Sequence, residues 1–249
     1  MNATTALDHI RIVLVHTTHP GNIGAAARAM KTMGIHRMSL VAPKSFPDPV
    51  ASARASGADD ILATASVVDT LPQALRGTVF SAALSARRRE HALPVQSARE
   101  IVPTLLSYCA HGDVALVFGT ESSGLTNEEA ALCSALITIP TDPAFSSLNL
   151  AAAVQLLCYE LRSHAFETPL TGVSAGEPAT FEQIEGFYRH LDQAMQDAGF
   201  YQPENPRQLW PKLRRLFGRA HLEQEEVNIL RGILNAVVNR HKVPRRPGS

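Results

Sequence analysis

Apolar runs alternate with stretches of helical periodicity along the first two thirds of this 249-residue chain. The run Ile10–Val15 is continuous and rich in β-branched residues, which is typical of a strand buried on both faces. Similar runs predict strands over 38–41, 67–68, 79–84, 114–118 and 136–140, with helices between them and a last helix over 148–166. This alternation predicts an α/β fold, a mainly parallel sheet flanked by helices.

Four loops that follow predicted strands concentrate the polar residues of interest: 17–24, 85–89, 119–124 and 141–147. Ligands of parallel sheets bind outside the carboxyl ends of the strands. The last loop brings Ser146, Ser147 and Asn149 to the start of a helix with one small, smooth face. An N-cap accounts for one of these three side chains rather than for all of them, so we interpret the segment as a ligand loop.

A second unit follows a segment rich in Pro, Gly, Ser and Thr. That segment, 167–179, has no periodicity and is interpreted as a linker between an α/β domain over 1–166 and a helical extension over 180–249. Thr180 and Gln183 form a predicted capping box at the start of the extension. Two further helices are predicted over 206–217 and 222–241, so the extension is a small all-α unit.

Charge is uneven although the net charge is zero. Residues 167–205 hold seven acids and one base, a net −6, and residues 206–249 hold ten Lys or Arg and three Glu, a net +7. The basic end favours an anionic partner, and a solvated helix face explains the charge equally well.

The three cysteines are isolated, with no CxxC pair, which argues against a zinc site or a disulfide framework and is typical of reduced thiols in a cytosolic protein. His16 and His19 lack a carboxylate nearby in sequence, so we predict no metal. We also predict no signal peptide, because residues 1–9 are polar, and no membrane span, because no apolar run is long enough to cross a bilayer.

No GxGxxG or P-loop sequence is present to hold phosphates, which argues against a dinucleotide or ATP. A cofactor without phosphates, such as S-adenosylmethionine (SAM), would not need such a loop.

Three segments taken together resemble the SPOUT class of RNA methyltransferases, within it the TrmH-like 2′-O-ribose group, and most of all its bacterial TrmJ branch. They are the sequence NIGAAAR at 22–28, VFGTESSGL at 117–125, and the stretch from Ile139-Pro140 to SSLNL at 146–150. The resemblance covers residues 10–166 well and the extension more loosely. It implies a C-terminal trefoil knot, a homodimer and, as partner, tRNA methylated on the 2′-hydroxyl of cytidine or uridine 32 in the anticodon loop.

The resemblance also implies the site residues. Those that match cofactor-binding positions, for SAM, are Leu84, Ser85, Ala86, Gly119, Ile139, Ser146, Ser147 and Leu148. Those that match catalytic positions are Arg28, Ser147 and Glu121, and candidates for binding RNA are Arg28, Arg87 and Arg89.

Chemistry limits what these residues can do. Arginine stays protonated in proteins, so a grip on an RNA phosphate suits Arg28 better than the role of general base. Ser147 could position the ribose or relay a proton. Glu121 could orient Arg28 or cap its own loop, and the sequence leaves both open. Methylation of rRNA, or RNA binding without catalysis, are the alternative functions.

Overall fold

A computed structural model of the chain describes residues 2–85, 95–167, 176–201 and 209–242. In these ranges the strands are β1 Ile10–Val15, β2 Arg37–Val41, β3 Ser66–Val68, β4 Thr78–Leu84, β5 Val95–Ser97, β6 Asp113–Phe118 and β7 Ala135–Thr138. The helices of the first part are α1 Ala3–Asp8, α2 Pro20–Thr32, α3 Pro49–Ala55, α4 Asp59–Ala63, α5 Leu71–Ala74, α6 Ala98–Tyr108, α7 Asn127–Ala131 and α8 Leu150–Glu167. The extension contributes α9 Phe181–Asp197, α10 Leu209–Gly218 and α11 Gln224–Lys242.

The strands form one sheet in the order β3-β2-β1-β6-β4-β7-β5, and every described pairing is parallel. The predicted parallel α/β class is therefore confirmed. Near the carboxyl edge, Phe118 lies opposite Leu14, and Leu84 lies opposite Ile137. Because these strands end at similar heights, the loops that follow β1, β4, β6 and β7 meet at one edge of the sheet.

Helices cover both faces of the sheet because the strand side chains alternate. Ile12 and Leu14 point into a core that includes residues of α1, α2, α6 and α8, while Val13 and Val15 point into a second core with residues of α5 and α7. Helices α2 and α3 approach closely, and a Cβ on Gly24 would lie 1.9 Å from the Ala51 carbonyl oxygen. Only glycine permits that packing.

Several element boundaries differ from the sequence predictions. Helix α2 begins at Pro20, and its N-cap is His19, whose ring Nδ1 accepts from the Gly21 N–H. Helices α1 and α4 and strand β5 were not predicted, because each is too short to express a periodicity. Helix α8 begins at Leu150, two residues later than predicted, since Asn149 serves as its cap.

The extension has its own small core around Phe187, Tyr188 and Val227. It is joined to the α/β part by hydrogen bonds from the Gly77 N–H to the Glu182 carboxylate at 3.1 and 3.3 Å. Its His221 ring also packs against Phe80, with centroids 5.4 Å apart. The trefoil knot and the domain boundaries at 166 and 179 stay predictions. None of the helices described above is both long and apolar enough to cross a bilayer.

Candidate cofactor-binding site

A cavity of about 320 Å³ opens at the carboxyl edge of the sheet. Its walls come from the loops that follow β4, β6 and β7 and from the first turn of α8. The lining residues are Leu84, Ser85, Phe118, Gly119, Thr120, Glu121, Ser122, Ser123, Gly124, Leu125, Ile139, Ser146, Ser147, Leu148, Leu150 and Ala153.

All but one of the sequence-predicted cofactor residues lie in this wall. Seven of the eight are brought together there: Leu84, Ser85, Gly119, Ile139, Ser146, Ser147 and Leu148. Ala86 lies outside the described residues, as do Arg87 and Arg89. The structure thus assembles one pocket from residues that are more than sixty positions apart in sequence.

The loop after β6 is held tightly on itself. The Gly124 N–H donates to the Thr120 carbonyl at 2.9 Å, and the Thr120 and Ser123 hydroxyls are 2.7 Å apart. A Cβ on Gly119 would lie 2.2 Å from the Gly124 carbonyl carbon, and Gly124 itself has a φ of +69°. Both glycines are therefore required by the turn, which presents backbone groups to the cavity.

Glu121 projects from this loop towards the loop after β1. Its carboxylate accepts from the Thr18 N–H at 3.1 Å, the Thr18 hydroxyl at 2.9 Å, the His19 N–H at 3.3 Å and the Asn22 amide at 2.8 Å. Desolvation acts to raise the pKa of Glu121, but the donors of Asn22 and Thr18 outweigh it and lower the pKa to about 2. Glu121 is a charged acceptor at neutral pH and cannot serve as an acid there.

Asn22 continues this network to the third loop. Its side-chain oxygen accepts from the Asn149 amide at 3.1 Å, and the Asn149 oxygen accepts from the Ala151 N–H at 2.9 Å, which caps α8. The loops after β1, β6 and β7 are therefore fastened together by Glu121, Asn22 and Asn149. This fastening fixes Ser147, two residues before Asn149, relative to the rest of the wall.

Arg28 is not part of the wall. It lies on the exposed side of α2, and among the described residues it has no hydrogen-bond or ion-pair partner, Glu121 included. Of the three catalytic candidates, the structure brings Ser147 and Glu121 to one cavity and leaves Arg28 outside it.

Sequence reasoning missed the donors Thr18 and His19. Their position in a strand-end loop was evident, but their partner lies about a hundred residues away, and no local pattern indicates it. Of the two histidines that flank this loop, His19 caps α2, and the His16 Nε2 lies 3.5 Å from the Glu129 carboxylate. Over the described ranges, no three His, Cys, Asp or Glu side chains are grouped as metal ligands.

With a parallel sheet and a cavity at its carboxyl edge, the chain is an α/β protein of the class that binds a small molecule at the strand ends. Comparison with known proteins identifies its family. The chain belongs to the SpoU rRNA Methylase family, which matches residues 9–159, and residues 182–246 match the tRNA methyltransferase TrmJ C-terminal domain.

Individual relatives match nearly the whole length of this chain. The chain is 50% identical over 241 residues to the tRNA (cytidine/uridine/adenosine-2′-O-)-methyltransferase TrmJ of Pseudomonas aeruginosa, covering 92% of this chain and 93% of that one. It is 45% identical to the tRNA (cytidine/uridine-2′-O-)-methyltransferase TrmJ of Pectobacterium atrosepticum, covering 94% and 99%. The crystal structure of TrmJ from Z. mobilis ZM4 superposes with a TM-score of 0.80 at 34% identity, covering 91% of this chain and 98% of that one.

Proposed function

We propose that this chain is a SAM-dependent methyltransferase that acts on a ribose 2′-hydroxyl of tRNA, at cytidine or uridine 32 of the anticodon loop. The observation that carries the proposal is the cavity whose wall contains seven of the eight predicted cofactor residues together with Glu121. The names of the relatives, which specify 2′-O-methylation of cytidine and uridine in tRNA, support the substrate class.

The residues of the wall fit SAM. A volume of about 320 Å³ lies in the range of small-molecule sites, roughly 300–1,000 Å³. Leu84, Ile139 and Leu148 offer apolar contacts for an adenine ring, while the Ser85 and Ser146 hydroxyls and the turn at Gly119 offer hydrogen-bonding groups. When bound, SAM supplies a methyl group on a sulfonium, which is an electrophile that needs no metal.

The chain's own residues then have to position the ribose and remove its proton. Ser147 lies in the wall, and its hydroxyl can both accept and donate, so it can position the ribose or relay the proton. Glu121 acts as a positioning residue, since its four hydrogen bonds hold the loop after β1 against the cavity. Holding the reacting groups in line supplies a large part of the barrier reduction in such a transfer.

RNA is bound outside the cavity in this proposal. Arg28 is exposed and unpaired among the described residues, so its guanidinium is available to grip a phosphate and orient the hydroxyl. Arg87 and Arg89 follow the wall residue Ser85 in sequence and are proposed as further phosphate contacts. The extension, whose segment 206–249 carries a net +7, adds RNA affinity rather than chemistry.

We further propose a cytoplasmic homodimer that uses no metal. One face of α8 leaves Leu156 and Tyr159 41% and 51% exposed next to the cavity-forming end of the helix. Such neighbouring apolar side chains on a helix favour burial against a second copy. Light scattering at micromolar concentration should give twice the chain mass, and a monomer would contradict the dimer.

The decisive experiment is nucleoside mapping of tRNA after incubation with labelled SAM, with rRNA as a parallel substrate. Label in 2′-O-methylcytidine or 2′-O-methyluridine at position 32 of tRNA is the expected result. Label in rRNA alone would mean that rRNA, rather than tRNA, is the substrate. If neither RNA is labelled although the protein binds tRNA in a direct binding assay, the alternative of RNA binding without catalysis replaces the enzyme.

A further inference from the structure

Two exposed cations, Lys44 and Arg54, border the loop after β1 without lining the cavity. The Lys44 N–H donates to the Thr17 carbonyl oxygen at 3.0 Å, which holds the loop after β2 against residue 17. On α3, the Arg54 Cγ lies 3.5 Å from the point that a Cβ on Gly21 would occupy. Both residues therefore adjoin the same short segment, 17–21, at the carboxyl edge of the sheet.

Neither cation is neutralised within the described part of the chain. Lys44 and Arg54 are exposed and make no ion pair or side-chain hydrogen bond there. Other surface cations behave differently: the Lys31 ammonium lies 2.8 Å from Asp60, and Arg37 is paired with Asp113. Two cations without ion-pair partners, both next to the loop after β1, are available to an anion.

The one acid in the sequence between them does not pair with either. Asp48 accepts from the Ser45 hydroxyl at 2.7 Å and from the Val50 N–H at 2.8 Å, so both carboxylate oxygens are used to begin α3. Asp48 keeps its negative charge but is fixed as the cap of α3, so Lys44 and Arg54 are left without an ion-pair partner among the described residues.

We propose that Lys44 and Arg54 each bind a backbone phosphate of the tRNA, so that the strand enters the active site over segment 17–21. This inference rests on the function proposed above and adds the path of the RNA. Arg28 lies on the same helix as Gly21, about 10 Å further along its axis, so it extends the same path. Arg54 suits a bidentate grip on a phosphate, and Lys44 acts as a point charge.

The test is the double variant Lys44→Gln/Arg54→Gln, with Arg76→Gln as the matched control. Arg76 is an exposed cation in the turn before β4, at the opposite, amino edge of the sheet. Binding of unmodified tRNA is measured across salt concentrations for the native protein and both variants, and S-adenosylhomocysteine affinity is measured in parallel.

Each phosphate contact on a single strand contributes about 0.7 to the slope of log affinity against log salt. The double variant should therefore lose about 1.4 from that slope and bind tRNA about 25-fold more weakly at 0.1 M salt, with a gap that narrows towards 1 M. S-adenosylhomocysteine affinity should stay unchanged, as should the slope of the Arg76→Gln control.

The possible failures are distinguishable. A native protein that does not bind tRNA would overturn the proposed function, and this inference with it. In another outcome, the native protein binds and methylates tRNA, while the double variant keeps the native slope of log affinity against log salt, or loses no more tRNA affinity than the control. In that case only the phosphate path is wrong. A double variant that loses S-adenosylhomocysteine affinity acts through the cavity, which also overturns the path.

Discussion

Replacing Glu121 by glutamine tests whether its charge holds the loops of the site together. The carboxylate accepts two hydrogen bonds on each oxygen, from Thr18 on one and from His19 and Asn22 on the other. A glutamine amide has only one accepting oxygen. Whichever way it is turned, its NH₂ group faces two donors, and both are left without an acceptor.

The magnitude follows from the pKa of Glu121, which is lowered from 4.5 to about 2. A shift of that size corresponds to roughly 3.4 kcal/mol if taken in full. The carboxyl is only partly buried, and solvent screening reduces the value, so we expect Glu121→Gln to lower the free energy of unfolding by about 1–2 kcal/mol at pH 7.

The pH dependence has a definite sign. The folded-state pKa of Glu121 lies below its unfolded value, so its stabilisation is fully present above about pH 4.5 and is lost as the pH falls towards 2. Urea unfolding of native and Glu121→Gln protein at pH 7, 4 and 3 should show a gap in stability that is largest at pH 7 and shrinks at pH 3.

The matched control is Glu128→Gln, the same substitution at an exposed position in the first turn of α7. Its effect should stay within about 0.5 kcal/mol, as for other surface changes. Equal stability of native and Glu121→Gln protein at pH 7 would refute the argument from charge. So would a gap that is the same size at pH 3.

Three further predictions concern the cavity, the catalytic arginine and the thiols. Gly119→Ala should lower S-adenosylhomocysteine affinity at least tenfold in calorimetry, because its Cβ would meet the backbone of Gly124 at 2.2 Å. Gly232→Ala, in open space on α11, should instead raise the free energy of unfolding by about 0.5–1 kcal/mol. An equal loss of S-adenosylhomocysteine affinity in the two variants would contradict this. Arg28→Ala should abolish methyl transfer but keep the melting temperature and most cofactor affinity, and native turnover by this variant would remove Arg28 from the mechanism. All three cysteines should resist iodoacetamide at pH 8 until the protein unfolds, because burial raises each thiol pKa to about 12; mass spectrometry of alkylated native protein would reveal an exception.

Local sequence determined the elements and their caps. The capping boxes of Thr126 with Glu129 and of Thr180 with Gln183 are present, because each bond spans only three residues. The order of strands and helices was readable for the same reason, since the apolar period of an element depends on its own residues. The strand-end loops, and hence most of the cavity wall, followed from that order and from a resemblance in three short segments.

Tertiary structure decided which loops are neighbours and what each polar side chain holds. Strand β6 lies between β1 and β4, an order that no local pattern encodes, and it brings Glu121 to Thr18 and Asn22 across about a hundred residues. The same sheet order brings Asn149 to Asn22 across 127 residues. The position of a carboxylate in the sequence does not indicate which groups will donate hydrogen bonds to it. The role of Glu121 became definite only when strand pairing set four donors around it, because a hydrogen bond depends on distance in space rather than on separation along the chain.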